Sequence, residues 1–212
     1  MRNRILISLF DRTGNWSRPY SENGWTVINI DIQNGIDILT WNYKNWYQNQ
    51  INDNSVMPEV IVLSAQPCDV FALCGNKHKE KRKASGEFDL GMKLVEKTKE
   101  IIDFFDDLRV LKCFAIENPM SDIHTHNAWM GKPKQKFNPC DFAGYDPVPE
   151  NSQYNKKTWL WGNFNTMETK YLEPKFKESP IWKNFGGRSL ATKNARSITP
   201  LGFAYAFYES NH

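Results

Sequence analysis

A cysteine, a carboxylic acid and an amide at strand ends are the residues of this chain with chemistry to offer. The apolar run Val60-Ile61-Val62-Leu63 continues through Ser64-Ala65-Gln66 and stops at Pro67-Cys68-Asp69. A second run, Leu111 to Ile116, stops at Glu117-Asn118-Pro119. Short runs rich in β-branched residues read as buried strands, and open α/β folds carry their chemistry at the carboxyl ends of strands. If these two strands are parallel, Cys68 and Glu117 share one sheet edge. A thiol beside a carboxyl group suits nucleophilic addition assisted by proton transfer. The plainer alternatives are a small, inert core cysteine and a carboxylate that merely ends a strand.

Earlier residues have the spacing of a nucleotide site. Ile5 to Phe10 reads as a first buried strand, ending in Asp11-Arg12-Thr13-Gly14-Asn15-Trp16-Ser17. Ser17 is placed to cap a helix over about Arg18 to Asn23, with Pro19 just inside. A second strand, Thr26 to Ile30, ends in Asp31 and Ile32. Strand, Gly-containing turn, helix, strand and acid form the order of a doubly wound mononucleotide half. The acid can accept hydrogen bonds from both ribose hydroxyls, and the turn offers N–H groups to a ligand. Asp37, between Ile36 and Ile38, can present an acceptor to an adenine amino group. An ordinary βαβ unit and an ordinary loop aspartate are the alternatives.

The positioning elements follow from periodicity. Leu39 to Ile51 predicts a short amphipathic helix with aromatic residues in the core. Gly75-Asn76-Lys77-His78-Lys79-Glu80-Lys81-Arg82-Lys83 is the densest positive run. It reads as a loop, either merely solvated or meeting phosphates. About Asp89 to Leu108 is the most periodic helix, with Leu94, Val95, Ile101, Phe105 and Leu108 on one face. Residues 132–142 read as turn and strand, 156–164 as a strand and 165–187 as irregular. Thr199 is placed to cap a last helix, Leu201 to Glu209, with Pro200 in its first turn.

Composition bounds the rest. The 212 residues suit a single domain, 1–212, with about 132–198 a reduced, irregular insert or small recognition region. Aromatic content of 14% argues for a packed chain, and a net charge of +3 permits a nucleic-acid partner without demanding one. The four cysteines form no CxxC pair. The spacing of His124, His126 and Cys140 matches no standard zinc site, so no metal is expected. No signal-peptide layout or membrane-length run is visible, so the expected setting is cytoplasmic.

Taken together, Phe10 and Gly14, Asp31, Asp37-Ile38, Pro67-Cys68 and Glu117-Asn118-Pro119 occur in the order found in the cytosine-5 DNA methyltransferases. The chain resembles a short, phage-type member of that superfamily from about Ile5 to Pro119. It does so again at Arg196-Ser197-Ile198-Thr199, which is similar to the family's late Arg-x-Leu-Thr motif. The resemblance implies an α/β, Rossmann-like methyltransferase sheet with helices on both faces and no large target-recognition domain. It implies S-adenosyl-L-methionine as cofactor, held by Phe10, Asp11, Thr13, Gly14, Asp31, Ile32, Asp37 and Ile38. Cys68 becomes the nucleophile at carbon 6 of cytosine, and Glu117 the group that holds or protonates ring nitrogen 3, with Asn118 beside them. Pro67 and Pro119 shape the substrate pocket. Lys77, Lys79, Lys81 and Arg82 meet phosphate, and Gln135 opens a degenerate counterpart, Gln135-Lys136-Phe137, of the Gln-x-Arg-x-Arg motif. The implied partner is DNA offering a flipped or single-stranded cytosine, in the host cytoplasm if the gene is a phage's. Departures are Arg12 in place of a glycine, Gln66, Asp69 and Ala72 in place of Pro, Gln and Ser, and the lack of a late Gly-Asn motif. They leave open an enzyme for another pyrimidine or nucleotide, and a degenerate fold that only binds nucleic acid or a partner.

Overall fold

A computed structural model describes residues 4–51, 56–73, 78–176 and 189–212. The fold is Rossmann-like α/β, with one six-stranded sheet and helices on both faces. The strands are β1 (Arg4–Leu9), β2 (Thr26–Ile30), β3 (Glu59–Ala65), β4 (Leu111–Pro119), β5 (Gln135–Phe137) and β6 (Thr158–Gly162). Their order across the sheet is β2-β1-β3-β4-β6-β5. β1 to β4 are parallel; β6 runs antiparallel to both β4 and β5. Parallel strands covered on both faces must be apolar on both, so β1 and β3 read as continuous hydrophobic runs rather than alternating ones. The strand order reverses between β1 and β3, and the carboxyl ends of the four parallel strands meet at that edge.

Each face buries its own cluster. Ile5, Ile7, Leu9, Val60, Val62 and Ile116 pack beneath helices α2 (Tyr43–Gln48), α4 (Glu87–Asp107) and α5 (Ile123–His126). Leu6, Ile61, Leu63, Cys113 and Ala115 pack against α1 (Arg18–Glu22) and the last helix, α7 (Leu201–Asn211). α7 comes close enough that a Cβ on Gly202 would lie 2.4 Å from the Phe142 carbonyl oxygen, so only glycine fits there.

Several helix boundaries differ from the sequence pattern. The basic run expected as a loop holds a helix, α3 (Lys79–Ala84), because Lys, Glu, Arg and Ala are good helix formers whatever their charge. α2 is shorter than 39–51: Asp37 folds back onto the Leu39 N–H, and Asn42 accepts from the Asn45 N–H, so the helix starts late. Ser17 precedes α1 without capping it, because its hydroxyl is bound to Asn29 and Gly14 instead. Pro200, not Thr199, occupies the cap position of α7. A helix the pattern did not predict, α6 (Leu190–Ser197), precedes α7, with Ser189 accepting from the Thr192 N–H. Region 132–198 contributes β5 and β6 to the main sheet. Residues 165–176 carry no named strand or helix, and 177–187 lie outside the described residues.

Candidate active site

The Cys68 turn is built by β3 and anchored by its neighbours. Pro67 leads into a 3₁₀ turn, Cys68–Val70, and the Phe71 and Ala72 N–H groups donate to the Cys68 carbonyl. Gln66, buried at 3% exposure, sends its amide to Ser64 Oγ (3.1 Å) and to Thr98 Oγ1 of α4 (2.6 Å). Asn118, fully buried, donates to the Gln66 carbonyl at 3.0 Å. The two strand ends stay paired beyond the sheet: Leu73 N–H donates to Met120 O, and Asp122 N–H to Phe71 O. Cys68 is half-buried. Cys113 and Cys140 are buried, and burial pushes their thiols up to about 12 and about 11. Among the described cysteines, Cys68 is therefore the one placed for reaction with something outside; Cys74 lies outside the described residues.

Glu117 pairs in register with Ala65, three residues before Cys68. It faces the side of α7, in a narrow cleft lined by Lys156, Thr158, Ser197, Ile198, Thr199 and Pro200. The free space there is about 10 Å³, room for about one water. Burial raises the Glu117 carboxyl above its ordinary range, and the Lys156 ammonium opposes that. The Arg196–Thr199 segment thus lies beside Glu117. Lys156 Nζ donates to the Arg196 carbonyl (3.3 Å), and Asn15 Nδ2 to the Thr199 carbonyl (3.0 Å). α6 spans the edge. Lys193 reaches Asp69 at 2.8 Å, and Asn194 and Gln33 exchange amide hydrogen bonds of 3.0 and 3.1 Å.

The turn after β1 is tightly organised. Phe10 has φ 60°, unusual for a bulky residue; its N–H donates to Ile30 O at 2.7 Å. Asp11 is 3% exposed, and its carboxylate accepts from Ser8 Oγ (2.9 Å) and the Ser17 N–H (3.3 Å). Burial raises its pKa against those bonds. Asp11 therefore braces the turn from inside. Gly14 (φ +68°) lies so near Asn29 that a Cβ would come within 2.9 Å of its amide. Arg12 has a buried Nε with no protein partner. Asp31 uses Oδ1 to accept from the Gln33 N–H (2.8 Å), and beside it Ile32 is 72% exposed. Asp37 closes its own turn and Ile38 is buried. A cleft of about 420 Å³ opens on the α1 side, lined by Thr13, Gly14, Asn15, Ser17, Arg18, Val27 and Asn29 among others. Of the predicted cofactor residues it takes in Thr13 and Gly14, while Phe10, Asp31 and Asp37 lie outside it.

The predicted phosphate contacts fare differently. Lys77 lies outside the described residues. Lys79 is ion-paired with Asp122 and lies 3.2 Å from His126 Nε2, which fastens α3 to the loop after β4. Arg82 approaches Glu87 at 3.7 Å, and Lys81 is exposed. Gln135 does not meet Glu117. Its amide is clamped on the backbone of Met167 by two bonds, 3.1 and 3.0 Å. The cation beside Glu117 is Lys156, which the pattern did not single out; its signal was a Lys-Lys pair just ahead of a strand that pairs antiparallel with β4. Pro119 lies on β4, opposite Thr158. Among the described residues no group of His, Cys, Asp and Glu could hold a metal ion, and no helix is long and apolar enough to cross a membrane.

No protein-family model matches the chain, and no curated protein matches it. Among solved structures it is similar to the Entamoeba histolytica methyltransferase EhMeth, at 13% identity and a TM-score of 0.39. That likeness covers 89% of this chain and 62% of the other, so the chain spans less than two thirds of that protein's length.

Proposed function

We propose that the protein is an S-adenosylmethionine-dependent methyltransferase acting at carbon 5 of cytosine in DNA, through a covalent adduct of Cys68. The observation that carries this reading is the pairing of the Cys68 turn with the Glu117 strand end, tied by the Asn118 bond to the Gln66 carbonyl. The cofactor assignment rests on Asp31, which has one carboxylate oxygen outside its own turn, beside the exposed apolar Ile32. Acceptor and apolar side chain together fit an adenosine. Asp31, Ile32 and the Gly14 turn would hold S-adenosylmethionine, which when bound supplies an electrophilic methyl group.

Cytosine carbon 5 is a poor nucleophile on its own. The Cys68 sulfur adds to carbon 6, forming a C–S bond, while Glu117 gives its proton to ring nitrogen 3. The electron pair then sits on carbon 5 as an enamine. A raised Glu117 pKa, caused by burial, keeps the donor proton available. Carbon 5 uses that pair to bond the methyl group. A base then takes the carbon 5 proton as the C–S bond breaks and the thiolate leaves, and ring nitrogen 3 returns its proton to Glu117. The base of the nucleic acid must be flipped out or single-stranded to reach this edge. Transfer of labelled methyl to DNA, followed by base identification, tests the reading; full activity in Cys68→Ser would remove the nucleophile role. A modified base other than 5-methylcytosine would point to another pyrimidine. A second reading, binding without catalysis, is favoured by the closure of the Glu117 cleft. Calorimetric titration with S-adenosylmethionine separates the two, since a catalyst must bind it.

A further inference from the structure

The outer hairpin of the sheet, β5 and β6, is not used by the proposed chemistry. Its own segments are basic, although Glu117 of the adjoining strand lies in register with Leu160 on the α7 face. Residues 123–140 and 151–167 contain five lysines (Lys132, Lys134, Lys136, Lys156 and Lys157) and no Asp or Glu, in a chain that holds 24 acids. Trp159 of β6 is half-buried and lies in register opposite Asn118, the residue that braces the Cys68 turn. Lys136 of β5, exposed, places its ammonium 4.3 Å from the centre of the Trp159 ring. His124 lies 6.0 Å from Trp159, ring to ring. Trp161 is 1% exposed with a buried, unpartnered indole N–H, and His124 has an unpartnered Nδ1.

We propose that this hairpin is a docking surface for single-stranded nucleic acid, with a base flanking the reactive one stacked on Trp159 and its phosphate held by Lys136 and Lys157. The inference rests on the proposed function in taking nucleic acid as the substrate, and it names the surface that guides the strand. Strand neighbours lie about 4.8 Å apart, so a base on Trp159 is one strand away from Asn118 and two from the strand that ends in the Cys68 turn. Stacking on an aromatic ring beside cations is how proteins hold single strands without reading sequence. The ring face covered by Lys136 is no obstacle. An exposed cation–ring contact is weaker than base–aromatic stacking, and the displaced ammonium is then free to meet phosphate. The charge complementarity favours a polyanion, and the interleaved indole favours one with unstacked bases. α3, whose Lys79 and Arg82 face carboxylates, offers less of both.

Fluorescence anisotropy with dye-labelled oligodeoxythymidine, and with a labelled duplex, tests it without any methyl transfer. Trp159→Ala is expected to weaken single-strand binding about ten-fold, with Trp159→Phe close to the parent. Lys136→Gln, an exposed change that leaves the core intact, is expected to lower the slope of log K against log salt by about 0.7. Unchanged binding in both Trp159→Ala and Lys136→Gln overturns the proposal, as does absence of binding by the parent protein. Equal binding of duplex with the same Trp159 dependence overturns the single-strand assignment. Equal binding of polyglutamate with that dependence makes the surface a site for acidic protein instead. Trp159-dependent binding without methyl transfer sinks the proposed function alone; methyl transfer with Trp159-independent binding sinks this surface alone.

Discussion

Gln66→Leu separates the positioning of Cys68 from the stability of the fold. Leucine keeps most of the volume and removes the amide. The amide holds the end of β3 to Ser64 and, through Thr98, to α4; Thr98 passes its own proton to the Leu94 carbonyl. Losing two buried hydrogen bonds costs about 2 kcal/mol at ~1 kcal/mol each. One term opposes this. Gln66 Oε1 is buried without a protein partner, and removing an unpaired acceptor returns about 1 kcal/mol. The net loss is about 1 kcal/mol, a fall in Tm of ~2–4 °C for a chain of this size. The Asn118 bond goes to the Gln66 backbone carbonyl and survives. The turn then keeps its bond to β4 and the packing of Val70 and Phe71 on α4, but loses the directional link that fixes the end of β3 to α4. A misplacement of ~1 Å at a reacting atom costs roughly 100-fold in rate. Single-turnover methyl transfer should therefore fall far more than the stability measured by circular dichroism. A variant that keeps the parent rate, or is as stable or more stable, would refute the reasoning and make Gln66 a space-filler.

Other expectations follow from single residues. Gly202→Ala sets a Cβ 2.4 Å from the Phe142 carbonyl oxygen and 3.1 Å from its carbon. Neither is a flexible side-chain end, so urea titration should show a loss of about 3 kcal/mol. Glu117 has a pKa raised by burial. The folded state therefore holds its proton longer than the unfolded state does, and the stability this contributes is complete below pH 4.5 and lost as pH rises through the folded pKa. Relative to Glu117→Gln, the parent should lose stability over that window; a constant difference between the two pH profiles would refute the assignment. Iodoacetamide should modify Cys68 in the folded protein, while Cys113 and Cys140, pushed up to about 12 and about 11, react only on unfolding; peptide mass mapping reads this. In native-state hydrogen exchange, amides of α6 should exchange before those of α7. α6 is tied by exposed polar contacts, whereas α7 buries Phe203 and Phe207 completely.

The parallel strands were legible because their signal is local: Val60–Leu63 is apolar on every residue and Ile5–Leu9 on all but Ser8, as two-sided burial requires. That the Cys68 turn and Glu117 fall at neighbouring strand ends was legible for the same reason, since parallel neighbours end at one edge. Polar elements were not. α3 and α6 have too few apolar residues to show a period, and each is held by contacts from afar: Lys79 to Asp122, Lys193 to Asp69, Asn194 to Gln33. Those links span 43, 124 and 161 residues, so no window along the chain contains both partners. Gln135 misled because a motif match says nothing of direction. It sits on the α7 face of β5 and spends both amide atoms on Met167, while Lys156, across from β4, takes the place beside Glu117.

The closure of the Glu117 cleft decides what catalysis at this edge demands. Three of its walls are stiff. β4 and β6 are paired in the sheet, and α7 packs Phe203 into the core. The fourth wall is Ile198, Thr199 and Pro200, the joint between α6 and α7. On its far side α6 is held by the Lys193–Asp69 pair, with both side chains at least half exposed, and by the Asn194–Gln33 amides. Exposed contacts of this kind are worth up to ~1 kcal/mol each. The buried Thr192 and Ala195 add about 1 kcal/mol for the small apolar surface they cover. With the Lys156 and Asn15 bonds to the Arg196 and Thr199 carbonyls counted at up to ~1 kcal/mol each, making room for a pyrimidine by moving α6 costs about 3–5 kcal/mol, whereas moving α7 would expose two buried phenylalanines at ~3 kcal/mol or more for each. The lower cost falls on the wall that carries Lys193 and Arg196, and phosphate contacts to those two side chains would offset it.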